Sequence, residues 1–433
     1  MTDDTRTAVD ISEFVRSLAD LIGPPNVSTD LGDRTRASTD WAKMSPILDA
    51  QLPLGLCDVV AFPPSADAVA DIVALAVEYR IPVTPRGKGT GNYGQAIPMS
   101  GGLVLDMSKA NAIVEVDDGF ITAEAGATMT SLESAARKHG QQLWMYPSTV
   151  GSSIGGFLSG GSGGTGTIIH GNISNGFVVG LDVAYADGQR GLHAISGDDL
   201  APYLHAYGTT CVIARATVRL EPLVDWRVVY SSFESYEDAL PLVRTISSMT
   251  PMPRLVSADV PVVVNALPND AGYPHDRASL RAIVESCALD DVTSLIEAAG
   301  GRIEVIRHGP QASLKVSLLS YNHPTWHLQK TAPGRYFHIE VAGDALIDRY
   351  AEVDAVYEGS MLHIEGAYRI PIGMLNGVYR SREQVYAGIN ALRELGVLVH
   401  SPHEWYVDKN VDAVKALAAR TDPFGLLNPG KLI

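Results

Sequence analysis

Apolar and polar positions along this chain repeat with two different periods, and each period predicts an element type. Residues 9–22 (VDISEFVRSLADLI) carry apolar side chains at helical spacing and stop at Gly23-Pro24-Pro25. The stretch 26–57 holds no sustained period and reads mostly as loop. Residues 58–62 (DVVAF) form a short apolar run, a buried strand closed by Pro63-Pro64. A helix follows to about Tyr79, with Ser65 as its cap and Val69, Ile72, Val73 and Ala76 along one face. Strands are expected at 81–85, 101–107, 112–116 and 121–126, then a helix over 128–139 stopped by Gly140, then a strand in QLWMYP at 142–147. FVVGLDVAYADG at 177–188 reads as a hairpin strand, and CVIARATVRLEP at 211–222 as a strand closed by Pro222.

The texture changes near residue 223. WRVVYSSF, RLVSADVPVVVNAL, RIEVI and HIEV read as strands. Helices are expected near 235–249, 278–286 and 290–299, over 381–396 and near 410–420. Together these predict an α+β molecule. Residues 1–222 form one domain with its core at about 50–222. Residues 223–395 form a second domain with an antiparallel sheet covered by helices, and residues 396–433 return to the first.

Composition narrows the classes. With 46% hydrophobic and 19% charged residues over 433 positions, a sizeable core is available. The formal charge is −16 and no basic run appears, which speaks against nucleic acid or an anionic membrane as partner. Cys57, Cys211 and Cys287 are scattered without CxxC spacing, which fits a reducing compartment. The N-terminus lacks the basic and apolar regions of a signal peptide, and no apolar stretch reaches the ~18 residues that span a bilayer. A cytoplasmic protein acting on a small molecule is expected, with a homodimer left open.

Two glycine-dense turns follow strand-like runs, at 86–94 and 151–166. Glycine has no Cβ and takes positive φ, so main-chain N–H groups there can close on phosphates. Gly89-Thr90-Gly91-Asn92-Tyr93-Gly94 satisfies G-x-G-x-x-G, yet Gln95-Ala96-Ile97-Pro98 follows where a nicotinamide-binding fold needs a helix. Gly425 to Lys431 imitates a P-loop, but Leu432 replaces Ser/Thr and the sequence runs out before a helix. Seven glycines fall within residues 155–166, a density that turns alone rarely need.

The ordered set PRGKGTG, LDMSK, AEAG, PSTVGSSIGG, GLDVAYADG, YGTTCVIARATVRLEP and DPFGLLNPGKL resembles the FAD-linked oxidoreductases of the vanillyl-alcohol oxidase/p-cresol methylhydroxylase (PCMH) superfamily. The resemblance covers roughly 45–222 and 396–433, and implies a PCMH-type FAD-binding domain split around a cap. It implies that Pro85, Arg86, Gly87, Lys88, Gly89, Thr90 and Gly91, with Pro147, Ser148, Thr149, Gly151, Ser152, Ser153, Gly155 and Gly156, bind the cofactor, with residues 86–90 and 152–156 cradling the pyrophosphate. Gly171 and Ile213 would lie near the ribose and adenine, and Asn428 and Lys431 would close over the isoalloxazine side. Lys88 departs from the glycine usual there. Members with a doubly attached flavin carry histidine and cysteine where this chain has Thr90 and Pro147, so non-covalent FAD is expected, with a single link through a cap histidine or tyrosine still open.

The cap should supply the substrate-facing chemistry. Oxidising an alcohol by hydride transfer to flavin N5 needs a group that accepts the hydroxyl proton, and histidine or tyrosine suits that role. Candidates are Tyr321 and His323 in YNHPTWH and His403 in HSPHEWY. Tyr336, His338 and Arg369 lie on expected strands, the arginine being suited to a carboxylate. The metal-binding His-rich and Gly-Asp-Gly-Asn-x-His stretches of D-2-hydroxy-acid members are missing, so no metal is expected. The expected activity is oxidation of a C–OH or benzylic C–H group, with oxygen or another acceptor reoxidising the flavin. An electron-transfer subunit of a larger complex and an NAD(P)H-fed flavin reductase are the alternatives.

Overall fold

The structure is a computed structural model that describes residues 11–433. Residues 9 and 10 of the first expected helix lie outside that range, and the rest of it is the helix Ile11–Ile22, which buries Phe14, Leu18 and Ile22. Three sheets organise the chain. In the first, Val59–Ala61, Leu103–Asp106 and Val83–Arg86 run parallel, and Val27–Ser28 pairs antiparallel at the edge. The helix Asp67–Glu78 makes the crossover and buries Val69, Ile72, Val73 and Ala76. The second sheet orders Ile113–Asp117, Phe120–Glu124, Val212–Pro222, Val178–Ala184 and His193–Ser196, with Gln141–Leu143 also pairing along Val212–Pro222. One apolar core underlies both sheets.

The third sheet has eight strands: Arg302–His308, Trp226–Phe233, Ala278–Glu285, Leu255–Asp259, Met361–Glu365, Ile372–Val378, Tyr336–Ala342 and Leu398–His400. Its neighbours pair antiparallel throughout, and one face packs on helices including Tyr236–Ser247 and Arg382–Glu394. The other face turns toward the first two sheets and bounds the site. Its last strand, Leu398–His400, lies beyond residue 395, so the chain leaves this sheet only after His400. The C-terminal segment then reaches back, with Val83 N donating to Leu426 O and Asn428 N donating to Val83 O, both at 2.8 Å.

Several expectations are corrected. The 26–57 stretch contains the helices Leu31–Ala37 and Pro46–Gln51, capped by Asp30 and Ser45, too short to show a period. Ser65 does not cap the next helix; Ala66 holds that position, and its N–H donates to Glu124 Oε1 at 2.8 Å. The expected strand over 254–267 divides into Leu255–Asp259 and the helix Pro261–Ala266, begun by its proline. The expected helix at 278–286 is the strand Ala278–Glu285, buried on both faces, so its sequence shows no alternation. Arg369 lies on no strand; it sits in an exposed loop at φ 74°.

Candidate active site

A cavity of about 900 Å³ lies between the glycine turns and the polar face of the eight-stranded sheet. Its size is near the upper end of the ~300–1,000 Å³ range of ligand sites. The first wall comes from residues 85–91 at the end of Val83–Arg86 and from residues 147–149, 152–153, 155–157 and 159–163. The two turns are joined by hydroxyls: Ser152 Oγ lies 2.8 Å from Thr90 Oγ1 and donates to Thr149 Oγ1 at 2.7 Å.

The first wall fits a pyrophosphate-bearing cofactor. A Cβ on Gly87 would stand 2.0 Å from Ser153 Oγ, and one on Gly155 would stand 2.7 Å from the Ala125 Cβ, so the turns pack at glycine distance. Gly89, at φ 64°, lies against the Arg86 guanidinium. Among the described residues, the N–H groups of residues 88–91 donate to no backbone acceptor. Arg86 Nη1 is buried without a partner, a donor that an anion would satisfy. This donor set suits phosphate oxygens.

Strand register builds the opposite wall. Partners across the sheet align His400, Glu340, Met374, His363 and Asp259 in one row. The next row aligns Ala342, Ile372, Glu365, Ser257 and Arg281. Side chains two apart on a strand share a face, so both rows look the same way. At one end, His363 donates through Nδ1 to Asp259 Oδ1 at 2.8 Å and through Nε2 to Glu365 Oε1 at 2.9 Å, while Arg281 pairs with Asp259. Burial opposes charge on this imidazole, but the Asp259 and Glu365 carboxylates raise it to about 9. Glu365 Oε1 also accepts the Tyr321 N–H at 2.8 Å.

At the other end, Glu340 Oε1 accepts Tyr93 O–H at 2.6 Å, and its Oε2 accepts His400 Nδ1–H at 2.9 Å. His400 Nε2 pairs with Asp408. Hydrogen bonds to Asp408 and Glu340 raise His400 to about 10. Burial works against the Glu340 carboxylate, yet the His400 bond and charge bring it down to about 2. At the cavity's edge Trp41 and Trp326 stack at 5.3 Å between ring centroids, 9° apart, and Lys330 lies over the Trp326 ring.

Most of the expected cradle residues line this cavity: 85–91, 147–149, Ser152, Ser153, Gly155, Gly156 and Ile213. Gly151 and Gly171 do not; Gly171 instead turns the chain at φ 76° after the helix Thr167–His170. Asn428 and Lys431 stand behind the wall. Asn428 Nδ2 donates to Gln95 O and Tyr207 O at 2.8 and 2.7 Å, and Lys431 Nζ donates to Gly94 O. Burial lowers Lys431 to about 7.

Of the expected catalytic residues, Tyr321 and His323 line the cavity. Tyr321 O–H donates to Gly164 O at 3.0 Å. His323 Nδ1 is buried without a partner, and burial lowers its pKa to about 4, so the ring is neutral. His403 is fully buried away from the cavity, with Nδ1 2.6 Å from Ser45 Oγ. Arg369 is exposed and lies beside the Tyr368 ring. His338 is buried one row beyond Glu340, level with Asn376. Sequence reasoning missed Tyr93, Glu340, His363 and Glu365. For the last three the signal was alternation: HIE at 363–365 and FHIEV at 337–341 place polar residues at every second position of apolar strands, whereas Tyr93 lies in a loop.

The segments that build the first wall fall within a region matched by known proteins. Residues 57–190 match the model of a family described as FAD binding domain. The chain carries an FAD-binding domain. This FAD-binding chain is 33% identical to the D-lactate dehydrogenase of Archaeoglobus fulgidus over 204 residues, 45% of this chain and 46% of that protein. It is 23% identical to the glycolate oxidase subunit GlcD of Bacillus subtilis over 425 residues, 87% of this chain and 88% of that protein. With the first of these, the match thus spans about half of the relative's length. The fold is shared with an alkyldihydroxyacetonephosphate synthase structure at TM-score 0.75, 16% identity, and 97% and 85% coverage. It is also shared with the 4-ethylphenol oxidase from Gulosibacter chungangensis in its isoeugenol complex, at TM-score 0.69, 16% identity, and 99% and 98% coverage.

Proposed function

We propose that this chain is an FAD-dependent oxidoreductase that oxidises the C–OH, or a benzylic C–H, of a small organic substrate. One observation carries the reading: a phosphate-fitting glycine wall and a sheet face rich in titratable groups enclose a single cavity. Bound there, FAD supplies the acceptor for the hydride that leaves the substrate carbon. Residues 85–91 and 152–156 would hold the cofactor through main-chain N–H groups and Arg86. Thr90 and Pro147 offer no nucleophile of the kind used for double attachment, which supports non-covalent binding. The Trp41–Trp326 pair would narrow the entrance and keep water from the reacting carbon.

The cap wall also bears on the substrate. Its buried cations, Arg281 and His363, are already paired with Asp259 and Glu365, and Arg369 lies outside. Arg281 keeps Nε and Nη1 without hydrogen-bond partners but does not line the cavity, so a substrate carboxylate would meet no buried arginine on this wall. The reading therefore favours an uncharged alcohol over the hydroxy acids in the relatives' names. Among the described residues no cluster of three or more His, Cys, Asp or Glu could hold a metal, and no helix is long and apolar enough to cross a membrane. The three free cysteines support a cytoplasmic location. The test is anaerobic: purified holoprotein is mixed with a panel of alcohols, 2-hydroxy acids and phenols, and flavin absorbance is followed. Bleaching by an uncharged alcohol is expected. Bleaching by NADPH alone would replace the reading with a reductase.

A further inference from the structure

We propose that Tyr93 and Glu340 are the proton-accepting pair of this site, with His400 as the residue that positions Glu340. The proposal rests on the alcohol-oxidising reading above and names the groups that serve it. Three tyrosines that line the cavity have hydroxyls bonded to groups of different chemistry. Tyr321 donates to the Gly164 carbonyl, which cannot keep a proton. Tyr207 lies 3.3 Å from His205 Nε2, and burial holds that imidazole low, at about 4. Tyr93 donates to a carboxylate, Glu340, at 2.6 Å. Its oxygen also accepts from Asn322 Nδ2 at 3.3 Å, so both lone-pair and hydrogen sides are oriented.

Proton and electrons balance in one step. As the substrate C–H bond breaks, its two electrons would leave with the hydride to a bound flavin, and C–O would become C=O. The O–H bond breaks with it; its proton passes to Tyr93 Oη, and the proton of Tyr93 passes to Glu340 Oε1. A phenol could not act alone, because burial and the neighbouring Glu340 hold it well above its ordinary pKa. Passing its own proton to Glu340, which His400 holds ionised and which therefore relays the proton toward solvent rather than keeping it, spares Tyr93 a buried phenolate. Around Glu340 the charged and titratable groups include Tyr93, His205 and Tyr207 from the first wall, His338 on its own strand, His400 from the adjacent strand, and Lys409 from the segment beyond it. His400 and Asp408 are partly open, at 35% and 28% side-chain exposure, which gives the pair a route to solvent.

The test uses holoprotein carrying Tyr93→Phe, Glu340→Gln and His400→Gln. In wild type, the His400 ring nitrogens followed by NMR should stay protonated above pH 8, and in Glu340→Gln the ring should lose its proton at clearly lower pH. With an alcohol that bleaches wild type, Tyr93→Phe and Glu340→Gln should slow flavin reduction by about 10²-fold or more. Substrate affinity and flavin absorbance should hold. His400→Gln should shift the acid limb of the pH profile toward neutrality with a smaller loss. Unchanged His400 titration in Glu340→Gln, or Tyr93→Phe reduced as fast as wild type, would overturn the pair. If no alcohol bleaches wild type, the functional reading falls, and the NMR titration still decides whether the coupled pair exists.

Discussion

At the scale of single residues, the cradle depends on atoms that are missing. Gly155 shows this best, because a methyl group there meets the Ala125 Cβ at 2.7 Å and the Ala125 carbonyl at 3.1 Å. Backbone cannot step aside as a flexible side chain can. Gly155→Ala should therefore cost about 1–3 kcal/mol in stability through overpacking. It should also weaken FAD at least tenfold, read by titrating the flavin into apoprotein. Arg369→Ala should leave flavin reduction unchanged, since the side chain is exposed and not part of the cavity lining. A marked rise in KM for a carboxylate substrate would restore the role its sequence context suggested. The glycines were legible because their spacing is a property of the sequence. Arg369 was misplaced because Ile-Pro-Ile beside it imitates a strand, while its own φ of 74° belongs to a loop.

At the scale of elements, register does what no single strand discloses. His363, Glu365 and Glu340 are alternate residues on two strands; Asp259 and Arg281 come from two others. Their meeting depends on pairing over 106 positions from Asp259 to Glu365, which periodicity cannot supply. The misreading of Ala278–Glu285 has the same origin, since a strand covered on both faces loses its alternation. Asp259→Asn should cost about 3–5 kcal/mol, because it leaves buried Arg281 and His363 short of their counter-charge. His363 also predicts a pH dependence. Its folded pKa, about 9, lies above the ordinary value of 6.5. The stabilisation it brings is complete below pH 6.5 and is lost as pH rises through 9. Urea midpoints measured from pH 6 to 9.5 should fall in wild type more steeply than in His363→Gln.

At the scale of the whole molecule, a cofactor cradle and a sheet face meet across a chain that crosses between them twice. The C-terminal segment closes the arrangement: Leu426 and Asn428 bracket Val83 at the root of the first glycine turn, and Lys431 holds Gly94. The contact between the first glycine turn and the C-terminal segment was legible from the order of their motifs, at opposite ends of the sequence. The roles of Asn428 and Lys431 as struts behind the wall were not, because a motif gives proximity to a site without saying which side of the wall a residue occupies. Oxidation of a C–H bond by the cofactor in this cradle is the central claim. Its most direct measurement is a single anaerobic turnover with an alcohol deuterated at the carbinol carbon. The account predicts that flavin reduction slows several-fold against the protiated alcohol, showing that this C–H bond breaks as the flavin is reduced. Equal rates across a range of substrate concentrations, or reduction only when a partner protein or NADPH is added, would contradict it.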